Sequence, residues 1–252
     1  MSQTPCPNSN LRFLTLTGAD DTVDPEALAN LVDDSGLKGR LEIGLLVSES
    51  RRGSHRFPSG MHMDRLIDAL LETDANLSLH VCGLWTREIM QGEWDSLKDH
   101  VGYRFDAFHR VQLNFHAEPH EISDRFYSQA KKEMVAGGFD IILQYDGTNL
   151  SLFHECEKRG LLVEGLYDLS GGRGIAPGYW PNAVRATGGY AGGLGPHNLA
   201  EQLPVIARAA GAFPYWIDME THLYDEAKNF SLERCRAVID IVHAFEAQRE
   251  AA

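Results

Sequence analysis

Charged, hydroxyl and amide side chains stand at the ends of eight short apolar runs in this chain, where a strand-built fold would bring them to one edge. Thr17, Asp20 and Asp21 close the first run; Arg51, Arg52 and Arg56 follow the second; His80 and Cys82 end the third, and Asn114 and His116 the fourth. Gln144, Tyr145 and Asp146 close the fifth, Asp168 and Ser170 the sixth, a glycine turn the seventh, and Asp218 and Glu220 the eighth. Two carboxyls can do acid and base work when their surroundings hold one protonated and the other ionised. A guanidinium grips a carboxylate or phosphate through paired hydrogen bonds. Each type has a plainer alternative: a loop aspartate capping its own turn, or an arginine on a basic surface loop. His80, His116, Asp168 and Asp218 also compose a donor set for a divalent metal. No pair among them has a diagnostic spacing, and a lone histidine in a strand is more often a hydrogen-bonded core residue, so neither a metal nor another cofactor is expected.

The stretch Gly188-Gly189-Tyr190-Ala191-Gly192-Gly193-Leu194-Gly195-Pro196-His197-Asn198-Leu199 reads as a strand end, a turn and a helix start. Without Cβ atoms at Gly192, Gly193 and Gly195 the backbone can take positive φ and bring several N–H groups close to one ligand. Asn198 is placed to cap the helix that follows, adding its partial positive charge. The stretch is expected to form an anion seat of the kind that α/β barrels place after strands seven and eight. The alternative is a tight connection with no ligand.

The elements that would position these residues follow from hydrophobic spacing. Strands are expected at Leu11 to Thr17, Leu41 to Val47, Leu77 to Cys82, Phe108 to Asn114, Phe139 to Tyr145, Leu161 to Asp168, Ala186 to Ala191 and Tyr215 to Met219. Asp24 and Pro25 open the first helix, and Met63, Leu66, Ile67, Leu70 and Leu71 mark the face of the second. Further helices are expected over Arg87 to His100, Ser123 to Val135, Asn149 to Arg159 and Asn198 to Ala210, and from a Ser231 cap to about Gln248. Between Gly171 and Trp180, Gly and Pro leave room for a loop and one helical turn. Strands alternating with helices over 252 residues make an α/β chain, read as a single (β/α)8 TIM barrel over residues 1–252, with 1–10 a flexible N-terminus. A doubly wound open sheet is the alternative; its GxGxxG after the first strand is absent.

Composition narrows the partners. Hydrophobic content of 43% and charged content of 23% suit a globular chain. No apolar run approaches the ~20 residues of a membrane span, and Met1 to Asn10 lacks the basic-then-apolar pattern of a signal peptide, so a cytoplasmic location is expected. A formal net charge of −13 argues against a nucleic-acid surface. Cys6, Cys82, Cys156 and Cys235 are scattered without a CxxC pair, which suggests neither a zinc knuckle nor a disulfide framework. The expected partner is a small anionic molecule captured locally. The oligomeric state is open, a homodimer included.

Four segments resemble phosphoribosylanthranilate isomerase, a barrel enzyme of tryptophan biosynthesis. Thr15-Leu16-Thr17-Gly18 stands where that family has Lys-Ile-Cys-Gly, and Val111-Gln112-Leu113-Asn114 is similar to its Val-Gln-Leu-His. Asp168, Gly171-Gly172-Arg173-Gly174 and Trp180 look like its Asp, Gly-Gly-Thr-Gly and Trp, and Ala191-Gly192-Gly193-Leu194-Gly195-Pro196-His197-Asn198-Leu199 is close to its Ala-Gly-Gly-Leu-Asn-Pro-Glu-Asn-Val. The resemblance implies an Amadori-type aldose–ketose isomerisation of a phosphoribosyl conjugate, in which Asp168 is the general acid and Arg51 or Arg52 holds the substrate carboxylate. It also places Asn114, Gly172, Gly192, Gly193, Gly195 and Asn198 against the substrate. Two positions depart from the pattern. Thr17 replaces the family's cysteine base, and a hydroxyl is too weak an acid to supply a base without a strong partner, which turns attention to Asp20 or Asp21. Met219-Glu220-Thr221-His222 replaces Ser-Ser-Gly-Val-Glu after strand eight, and a carboxylate there repels phosphate. An acid/base isomerase of a phosphorylated sugar is the first expectation; a non-catalytic phosphosugar-binding or regulatory protein and a metal-dependent sugar-phosphate epimerase or aldolase are the alternatives.

Overall fold

Along a strand successive side chains face opposite sides, and in this chain both sides have to be filled: one by helices, the other by the strands' own inward residues. The computed structural model describes residues 10–115, 117–170, 173–183 and 187–251. Eight parallel strands run in sequence order around a closed barrel: β1 (Leu11–Thr17), β2 (Leu41–Ser48), β3 (Asn76–Cys82), β4 (Arg110–Leu113), β5 (Asp140–Tyr145), β6 (Glu164–Asp168), β7 (Gly188–Ala191) and β8 (Tyr215–Met219). β8 pairs back onto β1, which excludes the open sheet. The helices are α1 (Pro25–Asp33), α2 (Gly60–Leu71), α3 (Leu84–Met90), α4 (Asp95–Val101), α5 (Asp124–Gly137), α6 (Leu150–Lys158), α7 (Leu199–Ala210) and α8 (Leu232–Glu250). Between β6 and β7 the described residues form loop, as the Gly and Pro content requires. None of the described helices is long and apolar enough to cross a membrane.

Outward-facing Leu14, Leu16, Ile43, Leu45, Leu79, Val81, Val111 and Leu113 belong to the main apolar core, together with α1 Leu28 and α2 Leu66. The inward side is different. Glu42 (β2), Arg110 (β4), Glu164 (β6) and Trp216 (β8) meet across the barrel, so they form one layer supplied by alternate strands. Arg110 Nε lies 3.4 Å from Glu42 and 3.6 Å from Glu164. Its guanidinium carbon stands 4.1 Å from the Trp216 ring centre and 5.0 Å from that of Phe13. Arg12 reaches Glu164 at 2.5 Å, and Thr15 Oγ1 donates to Glu42 at 2.9 Å. Two cations therefore face two carboxylates, with Arg110 and Glu42 fully buried and Arg12 reaching in from the rim.

Two local expectations are corrected. The single helix over Arg87 to His100 is split into α3 and α4, because Gly92 takes φ 82° and Arg125 packs where its Cβ would stand; a short 3-10 stretch, Gly102–Ala107, then leads to β4. Asn198 precedes α7 as expected but makes no capping hydrogen bond to it. The N-terminal ends of β4 and β6 are shorter than the sequence implies. The expected start of β7 at Ala186, the Gly171–Gly172 pair, His116 and residues 1–9 lie outside the described residues.

Removing one member of a buried ion cluster strands its partners in a low dielectric, at a cost of about 3–5 kcal/mol. Arg110→Met should lower unfolding free energy by that amount in urea titration, whereas Arg125→Met, which breaks an exposed pair with Glu93, should change it by less than about 1 kcal/mol.

Candidate active site

Because side chains repeat every two residues along a strand, the Glu42, Arg110, Glu164 and Trp216 layer fixes what stands above it. Two residues on, the even strands present Gly44, Gln112, Leu166 and Asp218; two more give Leu46, Asn114, Asp168 and Glu220. All but Gly44 line one cavity of about 450 Å³ at the C-terminal mouth of the barrel, the end where such folds do chemistry. Cys82, Gln144 and Ala191 join from odd strands, and Arg51, Arg56 and Phe57 from the β2–α2 loop.

Asp218 sits low in this cavity. Its carboxyl accepts the Thr17 hydroxyl at 2.6 Å, and both residues are buried. Burial pushes its pKa up to about 8 against the pull of the Thr17 hydrogen bond, and the charges of Glu220, Glu42 and Asp168 act in the same direction as burial. Asp218 is thus a carboxylic acid at neutral pH. Gly44 makes room for this arrangement, since a Cβ there would overlap Thr17 Oγ1 and come within 2.8 Å of His80 Nε2.

Asp168 and Asp218 both register with Ala191 on the strand between them, one from each side. Asp168 Oδ1 accepts the Ser170 N–H at 2.9 Å and the Ser170 hydroxyl at 2.7 Å, so this carboxylate caps its own turn and lines the cavity as well. Glu220 accepts from Arg56 Nη1 at 2.7 Å; burial and the charge of Asp168 raise its pKa, and Arg56 opposes them. Gln112 Nε2 donates to Asn114 Oδ1 at 2.9 Å and contacts His80 Nδ1 at 3.1 Å; His80 Nε2 is 3.0 Å from Ser78 Oγ. Burial, aided by the Arg110 charge, pulls the His80 pKa down to about 3, leaving a neutral ring with both nitrogens engaged.

The structure separates the residues singled out from sequence. Asp168, Asn114, Arg51, Gly192 and Gly193 share the cavity lining. Thr17 lies beside it, its hydroxyl turned to Asp218. Asp20 and Asp21 clamp loops instead: Asp20 accepts from Thr22 N, Thr22 Oγ1 and Arg56 N, and Asp21 from Ser59 N. Arg52 turns to His100, and Arg51 carries its guanidinium over Phe57. The Gly195 N–H is taken by Asn198 Oδ1 at 3.0 Å, and Asn198 Nδ2 donates to Gly193 O at 2.9 Å, which is why Asn198 leaves α7 uncapped. A Cβ at Gly193 would run into the Ala176 backbone, so the turn packs against the β6–β7 loop directly. His222 Nε2 also holds that loop, 3.0 Å from Gly174 O. Gly172 lies outside the described residues. Among the described residues no three His, Cys, Asp or Glu side chains converge as a metal-binding group.

Sequence reasoning placed Asp218, Glu220 and Arg56 at strand ends without giving them a part in the isomerase site. The signal for the first two is the i, i+2, i+4 series Trp216, Asp218, Glu220 on one strand face.

The neutral Asp218 has a measurable cost. An exposed aspartate ionises near pH 4, so between there and about pH 8 the folded chain holds a proton that the unfolded chain has lost, and this residue's contribution to stability declines as pH rises through that window. Asp218→Asn should flatten the decline and be more stable than the parent above pH 8 in urea titration. An unchanged slope would mean that Asp218 ionises normally.

No protein-family model and no curated protein matches this sequence. Solved structures do match in three dimensions. N-(5′-phosphoribosyl)anthranilate isomerase from Pyrococcus furiosus aligns at 13% identity over 92% of this chain and 98% of that one, with a TM-score of 0.54. A truncated 3-deoxy-D-arabino-heptulosonate 7-phosphate synthase from Thermotoga maritima aligns at 10% identity over 94% and 87%, with a TM-score of 0.56. A xylanase–α-amylase inhibitor protein in complex with trehalose aligns at 12% identity over 93% and 98%, with a TM-score of 0.52. Two proteins named as an isomerase and a synthase and one named as an inhibitor share the architecture, which leaves function to the site. The chain has the TIM-barrel fold.

Proposed function

We propose that this chain is an acid/base isomerase of a small anionic sugar derivative, such as a phosphorylated sugar or a phosphoribosyl conjugate. The observation that carries the reading is the pairing of Asp218, held as a neutral acid, with Asp168, a hydrogen-bonded carboxylate, on one cavity wall. Opening a sugar ring and moving a proton between adjacent carbons requires one group that gives a proton and one that takes it. Asp218 gives the proton to the ring oxygen and regains one from the hydroxyl that becomes the carbonyl, while Asp168 takes a proton from one carbon and returns it to its neighbour, which moves the acid role away from the residue that the resemblance to phosphoribosylanthranilate isomerase favours. Asn114, Gln112 and Gln144 supply amide partners for hydroxyl groups, Phe57 and Phe115 supply apolar faces, and Arg51 supplies a positive charge for the anionic group. Gly192 and Gly193 line the same cavity.

A second reading is ligand binding without turnover. It draws support from Thr17, Asp20 and Asp21, all of which are committed to protein partners.

A thermal-shift screen of phosphosugars and phosphoribosyl conjugates identifies ligands for either reading. With a substrate found, Asp168→Asn and Asp218→Asn should each lower kcat by roughly 10² to 10⁴ while ligand binding persists. The parent rate should fall as pH rises through about 8, where Asp218 loses its proton, and that limb should be missing in Asp218→Asn. Binding without turnover of any hit would favour the second reading, and full activity in both variants would remove Asp168 and Asp218 from the chemistry.

A further inference from the structure

Arg56 is unusual in three respects. It is one of two non-glycine residues among those described with a positive φ, 75°, a conformation that costs a bulky residue free energy and is kept where the surroundings impose it. Here Asp20 imposes it, accepting the Arg56 N–H at 2.7 Å with a carboxylate that is itself buried and already holds Thr22. The guanidinium so aimed meets Glu220 at the cavity wall. The Arg56 and Glu220 side chains are about a quarter exposed, at 25% and 24%, so their contact faces the mouth and an entering molecule can reach it. Arg51, whose guanidinium forms no ion pair with another described residue, lines the same wall.

The glycine turn is poorly suited to an anion. The Gly195 N–H is occupied, the β6–β7 backbone covers Gly193, and Asp168 Oδ1 lies 3.3 Å from where a Gly192 Cβ would stand.

We infer that Glu220 is an internal counter-ion held on Arg56 until an oxyanion of the ligand, a carboxylate or phosphate, takes its place between Arg56 and Arg51. The inference concerns recognition in the site assigned above and holds whichever proton that site moves.

The exchange has a proton balance. Once Arg56 is taken by the ligand, Glu220 faces Asp168, Asp218, the Cys82 thiol and the Tyr224 hydroxyl, with Arg51 shared with the ligand as its remaining positive neighbour. Burial and Asp168 already favour its protonated form, and the loss of Arg56 removes the main opposing charge. Anion binding therefore favours proton uptake by Glu220, and binding tightens as pH falls.

The test is calorimetric titration of the full chain with inorganic phosphate and, in parallel, acetate, in buffers of different ionisation enthalpy. The parent should take up protons on binding. Glu220→Gln should bind on the order of tenfold more tightly without proton uptake, and Arg56→Gln should lose most of the affinity. Arg56→Lys, which keeps the charge, should retain more of it than Arg56→Gln, separating recognition from loss of fold. Preference between phosphate and acetate identifies the anion. Unchanged affinity in Glu220→Gln, or binding that survives Arg56→Gln and is lost in Gly193→Asp, overturns the inference, as does failure of the parent to bind either anion. None of these readouts involves turnover, so the isomerase reading can stand or fall separately.

Discussion

The contact of Arg110 with Glu42 and Glu164 inside the barrel is the constraint on which the upper layers stand. A guanidinium that meets two carboxylates and lies between Trp216 and Phe13 has few alternative positions, and it ties β2, β4, β6, β8 and β1 together at one height. Once that layer is fixed, a period of two leaves no choice about which side chains face the interior above it. A slip of one residue in any of these strands would bury the cluster against the helices and turn leucines into the cavity. The charges do little for stability in themselves, since a buried ion pair recovers its desolvation cost only in part. Their effect is on register.

From that register comes an interior that grows more polar toward the mouth. The middle even layer contains Gly44, and the empty space of this residue leaves room for Thr17 to bond Asp218 on the neighbouring strand while His80 packs beside it. Asp218 then lies deep enough to stay protonated, and Asp168 lies one layer higher beside the Ser170 donors. The two carboxyls differ in depth and in hydrogen bonding, and this difference is what an acid/base pair requires. The surrounding loops are fixed in a related way. Asp20 and Asp21 bind the backbone of the β2–α2 loop, and Asn198 with His222 binds the glycine turn and the β6–β7 loop. The walls of the cavity are positioned before a ligand arrives.

Much of the fold was legible because it rests on local patterns. β1 and β8 begin and end where their apolar runs do, and Asp24, Pro25, Ser123, Gly138 and Ser231 mark helix ends by side-chain caps or positive φ that need no tertiary context. The split between α3 and α4 was less visible, since a glycine within a helical pattern does not say whether another segment will pack against it as Arg125 does. The site was legible in part for the same reason. Strand ends put Asp168, Asn114 and Arg51 at the mouth, but the roles of neighbouring residues depend on contacts made over long sequence distances. Asn198 looks like a cap and instead bonds back to Gly193 and Gly195. Asp20 looks like a base candidate and instead holds a loop 36 residues away. Asp218 acquires its character from the depth at which β8 places it and from Glu220, Glu42 and Asp168 nearby, against the pull of a threonine 201 residues distant.

The account depends most on the protonation of Asp218. A carbon-13 NMR titration of side-chain carboxyls, with the Asp218 resonance assigned by its absence in Asp218→Asn, measures it without a substrate. The account predicts a carboxyl that is protonated at neutral pH and titrates near 8. A resonance already ionised at neutral pH, with a midpoint near 4 as in an exposed aspartate, would contradict it.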